Sequence, residues 1–180
     1  MHLWKEKERC PKLKYNLVPS SVSFHNLVTL EVQGCDGIIK LVAYSTAKSL
    51  VQLKEMKICL CENIEEIIQG SGDDEDEVKD EISFPQLNLL ELIGLSKLES
   101  FCSSGNYTFG FPSLLTVILE NCPKMKMFSQ GDSNTPFLHK VRLQKWENDE
   151  RWEGNLNSTI QQLFKEKNST IEEVQNYIED

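Results

Sequence analysis

The sequence predicts an α/β solenoid, because one stretch recurs along the chain with the period of stacked structural repeats. Residues 24–41, FHNLVTLEVQGCDGIIKL, carry the pattern F-x-x-L-x-x-L-x-V-x-x-C-x-x-I-x-x-L, which recurs from Leu50, Phe84, Phe111 and Thr135. Successive copies start 26, 34, 27 and 24 residues apart. A period in the twenties with L-x-x-L-x-L-x-x-(N/C) is the signature of leucine-rich repeats. We therefore predict a leucine-rich-repeat solenoid.

The spacing within each copy indicates how a coil folds. The L-x-L pair places two side chains on one face of a short strand, and the later I-x-x-L pair returns the chain to the core. One coil cannot bury its own apolar edge, but stacked coils can, by aligning their strands roughly 4.8 Å apart. We expect a parallel sheet on the concave face and an irregular or short-helical convex side.

The chain divides into three segments by composition. Residues 1–23 resemble a truncated repeat remnant and link, residues 24–145 form the repeat array of about five coils, and residues 146–180 form a C-terminal cap. In the remnant, counting back from Cys10 places the strand columns on His2, Lys5 and Lys7, which are poorly suited to burial. Because no polar cap precedes the first intact coil, we expect the chain to be part of a longer array.

The C-terminal segment has helical signals. Asn157 and Ser158 resemble an N-cap, and the capping box of residues 169–172 predicts a second helix start. We predict two short amphipathic helices as a short helical cap, with Trp146 and Trp152 covering the last coil.

An acidic insertion over residues 70–81, GSGDDEDEVKDE, lengthens the second coil. Its carboxylates predict a solvated loop. Calcium binding is an alternative, but the run lacks the EF-hand pattern, which combines a glycine at position six with a closing glutamate at position twelve. Contact with a basic partner remains a further alternative.

Composition and charge exclude several function classes. The net charge of −9 argues against nucleic acid or an anionic membrane as the main partner. No apolar run reaches the roughly 20 residues of a membrane span, and the N-terminus is too polar for a signal peptide. We therefore expect a cytoplasmic protein.

Four of the six cysteines share one position of the repeat, which favours a structural role. Cys35, Cys61 and Cys122 occupy that column, and Cys10 matches it in the remnant. We expect buried thiols, because free cysteine behaves as a small hydrophobe and a reducing cytoplasm disfavours disulfides. A zinc site at Cys59 and Cys61 lacks the usual second ligand pair, so we expect no metal.

Local catalytic motifs are missing from the sequence. It contains no phosphate-binding G-x-x-x-x-G-K-[ST] loop, no G-x-G-x-x-G and no H-E-x-x-H. We expect neither an enzyme nor a cofactor.

The residues between the inward columns predict a protein-binding face on the concave side. Its middle column begins with alternating charges, which would also hold the strand register. Apolar side chains in and beside that column would form a contact patch, unless a loop such as residues 103–110 covers them. The candidate residues are Glu31, Lys57, Leu89, Glu91, Ile93, Ile118 and Arg142.

The repeats resemble a known family. The stretches that carry the resemblance are SFHNLVTLEVQGCDGIIKLV, STAKSLVQLKEMKICLCENIEEII, ISFPQLNLLELIGLSKLESF, FPSLLTVILENCPKMKMFSQG and RWEGNLNSTIQQLF. They resemble the C-terminal repeats of plant disease-resistance proteins, in the coiled-coil class of nucleotide-binding leucine-rich-repeat immune receptors.

This resemblance implies a recognition module whose partners are proteins. One partner would be a pathogen effector or its host target. The other would be the nucleotide-binding domain of the parent receptor, whose activity the repeats would restrain. The sequence contains neither that domain nor a coiled coil, so nucleotide binding is not transferred to it. The alternative is a stand-alone adaptor or scaffold, such as a ubiquitin-ligase substrate adaptor.

Overall fold

The computed structural model describes residues 2–3, 24–70, 81–103, 107–144 and 149–178. Most of the remnant, nearly all of the acidic insertion, and Trp146 lie outside the described residues. In chain order the described elements are β1 (His2–Leu3), β2 (Thr29–Gln33), β3 (Lys40–Ala43), α1 (Tyr44–Ala47), β4 (Glu55–Cys59), β5 (Glu66–Gln69), β6 (Glu81–Ser83), β7 (Leu89–Ile93), β8 (Thr108–Gly110), β9 (Thr116–Glu120), β10 (Ser133–Asn134), β11 (Val141–Arg142), β12 (Glu150–Arg151) and α2 (Leu156–Ile178).

The main sheet takes one strand from each repeat copy. Its order is β1-β2-β4-β7-β9-β11-β12, parallel throughout except for the antiparallel pair of β11 and β12. The register places one inward leucine-type position of every copy in a single row. The members of this row are at most 2 % exposed: Leu30, Met56, Leu90, Val117 and Val141. The predicted leucine-rich-repeat solenoid is confirmed.

The opposite side of the coils consists mainly of short strands. β3 pairs with β5, and β8 lies between β6 and β10, all in parallel. The four-residue helix α1 is the short helical element of the first coil. The first four coils therefore hydrogen-bond to their neighbours on two sides.

Five phenylalanines form a cluster of contacting rings in the core. Phe101 stacks on Phe128 with ring centroids 4.6 Å apart, and Phe84 stacks on Phe111 at 5.4 Å. Phe101 also meets Phe111 and Phe109 edge-on, at 6.0 and 5.6 Å. These residues, at most 1 % exposed, join the third coil to the fourth. Each such pair contributes about 0.5–1.5 kcal/mol beyond the burial of its area.

The cysteine column bridges coils as thiols. The Cys35 amide donates to Cys61 Sγ at 3.3 Å, and the Cys61 thiol donates to the carbonyl of Cys59 at 3.3 Å. The five cysteines in the described ranges are present as thiols rather than disulfides. A thiol at this position satisfies backbone groups where the chain leaves the sheet.

The residue after each of four main strands adopts the left-handed conformation. Gly34 has φ 66°, Leu60 54°, Gly94 66° and Asn121 53°. Glycine and asparagine tolerate this region, whereas a residue with a bulky Cβ substituent is strained by roughly 1–2 kcal/mol. The second coil therefore contains a strained leucine where its neighbours have glycine.

The register of the first strand differs from the prediction. His2 pairs with Thr29 and Leu3 with Leu30, so the alignment is shifted by two residues from the one counted back from Cys10. The shift places Leu3, rather than Lys5, in the row of Leu30. Leucine is buried more often than lysine, so the observed register aligns an apolar residue with Leu30.

The two short C-terminal helices were predicted incorrectly: α2 is one continuous helix of 23 residues. The predicted capping box does not interrupt it, because the Ser169 hydroxyl donates to the carbonyl of Lys165 one turn earlier, inside the helix. The N-cap prediction was also displaced. Asn155 caps the helix, since its Oδ1 accepts from the amide of Ser158 at 2.8 Å.

Asn157 instead closes the hydrogen-bond ladder of the opposite side. The amide of Ile68 donates to Phe101, and the amide of Phe101 donates to Phe128. At the end of this series, Asn157 Oδ1 accepts from Phe128 at 2.7 Å, and Asn157 Nδ2 donates to the carbonyl of Ser129 at 2.8 Å. The side chain thus occupies the place of a further coil.

Replacing Leu90 tests the inward row. Leu90→Ala should lower the free energy of unfolding by about 2–5 kcal/mol, because it leaves a cavity at a fully buried position. Urea denaturation measures the change. Leu115→Ala is the matched control: Leu115 is 59 % exposed, so its truncation should cost less than about 0.5 kcal/mol. Equal losses at the two leucines would contradict the assignment of inward positions.

Replacing Asn157 tests the closure of the ladder. Asn157→Ala should lower the unfolding free energy by about 1–3 kcal/mol, because it leaves the buried amide of Phe128 without its acceptor. Asn168→Ala, on the same helix, controls for the higher helix propensity of alanine. If both substitutions stabilise the protein equally, Asn157 has no capping role.

Candidate protein-binding face

The structure brings five of the seven candidate residues into one outward row. The registers align Glu31 with Lys57, Lys57 with Glu91, Glu91 with Ile118, and Ile118 with Arg142. Leu89 lies in the adjacent row beside Glu55, and Ile93 in the row on the other side beside Cys59. The candidate residues therefore occupy three neighbouring rows of the main sheet.

Their exposure is lower than an open apolar patch would require. Ile118 is 4 % exposed and Glu91 also 4 %, whereas Leu89 and Ile93 are half-buried. The residues of the proposed covering loop that form β8 pair with β6 and β10, in a separate sheet. Leu89 and Ile93 are therefore the apolar candidates with surface available for contact.

Lys57 is the centre of an acidic cluster in the first three coils. Its Nζ lies 2.6 Å from Glu55 Oε2, on the same strand and the same face. This hydrogen bond raises the pKa of Lys57, burial opposes the shift, and the charges of Glu91 and Glu31 add to it. Lys57 thus forms its ion pair with a residue of its own strand rather than only with neighbouring strands. The carboxylates of Glu31, Glu55 and Glu91 together act on its one ammonium group.

The fifth copy carries cations that pair with a neighbouring strand. Lys140 Nζ lies 2.7 Å from Glu150 Oε1, and Arg142 Nε lies 3.4 Å from the same oxygen. The Lys140 hydrogen bond is the main cause that lowers the pKa of Glu150. The face therefore changes from acidic in the first coils to cation-bearing at its C-terminal end.

A cavity of about 350 Å³ separates the fourth coil from α2. Leu119 and Cys122 line one wall, and Leu163, Phe164 and Lys167 of the helix line the other. The repeat pattern breaks after Leu143, so α2 covers the fourth coil less closely than another coil would. Burial raises the pKa of the Cys122 thiol to about 12, which keeps it protonated and unreactive at neutral pH.

Sequence reasoning missed the exposed leucine at the end of β4. Leu60 is 56 % exposed and lies in the left-handed column described above. The signal was present in the repeat alignment, where the same position holds Gly34, Gly94 and Asn121. A leucine among residues that favour positive φ marks a departure from the repeat.

The chain matches one known family of repeat proteins. The family model for the leucine-rich repeats of plant disease resistance proteins of the RPS2-like type matches residues 3–130, more than two thirds of the chain. The chain belongs to this family. No curated protein and no solved structure matches it.

The RPS2-like match covers the first four repeat copies and stops before the fifth. It includes six of the candidate residues, from Glu31 to Ile118, and leaves out Arg142. β11, β12 and α2 also lie beyond it. The matched region is therefore the first four copies, and the fifth copy and the cap lie outside it.

The described residues contain neither a metal-binding group of side chains nor a membrane-spanning helix. In those ranges, no three or more His, Cys, Asp or Glu side chains are grouped so that they could hold a metal ion. None of the helices in the described part of the chain combines the length and apolar character that crossing a membrane requires.

Proposed function

We propose that this chain is the recognition and autoinhibitory part of an intracellular plant immune receptor. It would bind a pathogen effector or its host target, and also the nucleotide-binding domain of the receptor that carries the repeats. It would act in the cytoplasm and without catalysis. The observation that carries the proposal is the match of residues 3–130 to RPS2-like disease resistance repeats.

The geometry supports recognition by the outward rows of the main sheet. Packing between coils depends on the inward rows, whose side chains are almost fully buried. The outward side chains of Glu31, Lys57 and Arg142 remain half-buried on a backbone held by inter-strand hydrogen bonds. A partner would meet these groups at fixed positions, so little ordering entropy is lost on binding.

The polarity of the rows also favours a protein partner. Acidic side chains around Lys57 and cations at Lys140 and Arg142 lie at opposite ends of one surface. Such an arrangement orients a partner with complementary charges and disfavours the reversed orientation. No observation on this chain favours the adaptor alternative in the same way.

The proposal is tested in the receptor that carries these repeats, by transient expression in leaves. Removing residues 24–145 should produce cell death without an effector, and supplying the 180-residue chain in trans should suppress it. Lys57→Glu should weaken the binding of the chain to the nucleotide-binding domain by about tenfold, since it places a fourth carboxylate in the acidic cluster. Co-immunoprecipitation and a binding titration measure both effects.

Lys97→Glu is the matched control, because Lys97 is an exposed lysine whose Nζ bonds Asn63 outside the main-sheet face. It should leave binding and suppression unchanged. A receptor that stays silent without residues 24–145, together with no binding in trans, would contradict the autoinhibitory function.

A further inference from the structure

The turn at the end of β4 combines backbone strain with exposure. Leu60 adopts φ 54°, and its amide donates to the carbonyl of Ile93 at 2.8 Å, as the equivalent amides of Gly34 and Gly94 do to their neighbouring coils. The backbone position is thus fixed by the repeat, and the residue type is not suited to it. More than half of the side chain is exposed, so burial does not offset the strain.

The side chain of Leu60 lies against Gly94 of the neighbouring coil. Its Cδ2 lies 2.8 Å from the point where a Cβ on Gly94 would be, so the glycine leaves the room that the leucine occupies. Leu60 therefore lies across the third coil and presents an apolar surface to solvent. Strained residues that the surrounding structure holds in place cluster at functional sites.

Acidic residues lie in the turns of the first, second and fourth coils that align with this apolar surface. Cys59 and Ile93, both half-buried, precede the turn in adjacent strands, and Glu120 follows them in the same row. In the turn itself, Asp36 Oδ1 accepts from the amide of Glu62 at 3.1 Å. The aligned segments 33–36, 59–62, 93–96 and 120–123 contain three acidic residues and no lysine or arginine.

We propose that this turn-edge patch, formed by Asp36, Cys59, Leu60, Glu62, Ile93 and Glu120, docks a protein segment that carries an apolar side chain flanked by lysine or arginine. The apolar side chain would pack on Leu60 and Ile93, and the cations would pair with the carboxylates. The inference rests on the proposed recognition function and specifies the chemistry of one partner.

Charge excludes the other occupants of the patch. A second copy of the chain has a net charge of −9 and would bring like charges to an acidic surface. An anionic membrane is repelled for the same reason. A basic protein segment is the occupant that both the apolar centre and the acidic margin favour.

Peptide selection on the intact 180-residue chain tests the proposal. A phage-displayed library of random 12-residue peptides is panned on the chain, and the affinities of the enriched peptides are then measured for the parent and for two variants. Leu60→Asn removes the apolar centre without disturbing the turn, because Asn121 occupies the same position in the fourth coil. Leu115→Asn is the control. Leu115 is 59 % exposed and precedes β9, so it lies at the opposite end of the strands from Leu60.

The enriched peptides should contain lysine or arginine beside an apolar residue. Their affinity should fall at least tenfold with Leu60→Asn, stay within twofold with Leu115→Asn, and weaken with rising salt. The urea midpoint of Leu60→Asn should be equal to or higher than that of the parent, which separates lost binding from lost folding. The proposal is overturned if no peptides are enriched, or if those enriched are acidic or bind Leu60→Asn as tightly as the parent.

Failure here is distinct from failure of the proposed function. Peptides that bind Leu60→Asn normally but lose affinity for Lys57→Glu would overturn the turn-edge patch and leave recognition by the main-sheet face standing. Binding that requires Leu60, together with a receptor unaffected by loss of residues 24–145, would contradict autoinhibition and retain the patch.

Discussion

The stacking of phenylalanines between the third and fourth coils is the interaction on which the remaining structure depends. Phe101 and Phe111 each contact four other phenylalanine rings in this cluster. A single coil has no core of its own, so its strand is stable only if the next coil is fixed beside it. Because the cluster fixes the spacing of two coils, it also fixes the register of the outward row. The outward row and the buried core thus depend on the same cluster, although they lie on opposite faces of each strand.

The inward rows could be predicted because burial leaves little choice of residue. Leu90 and Met56 follow the two-residue period of a strand, and both are fully buried. Exposure on the outward face could not be predicted in the same way. Ile118 and Glu91 belong to an outward row by register, yet both are 4 % exposed. Alternation along a strand gives the direction of a side chain, but its accessible area depends on neighbouring coils.

The C-terminal segment contains local helix signals that the structure uses in a different way. The signals for two helices were real, but Ser169 bonds to the preceding turn and the helix continues. Likewise Asn157, interpreted as an N-cap, bonds to Phe128 and Ser129, 29 and 28 residues earlier. Capping residues satisfy whichever backbone groups are nearest, and a long-range partner is invisible in local sequence. For Leu60, the repeat alignment shows a leucine where other copies have glycine or asparagine, but it does not show that the side chain is exposed.

Amide hydrogen exchange of the intact chain, followed by mass spectrometry, tests the central role of the phenylalanine cluster most directly. If the cluster anchors the solenoid, β7 and β9 exchange slowest and with similar opening free energies, because they open only when the third and fourth coils separate. β2 and the C-terminal half of α2 should exchange faster. Protection that is highest in β2 or in α2, with β7 and β9 exchanging earlier, would contradict the account, because the solenoid would then be held from one of its ends.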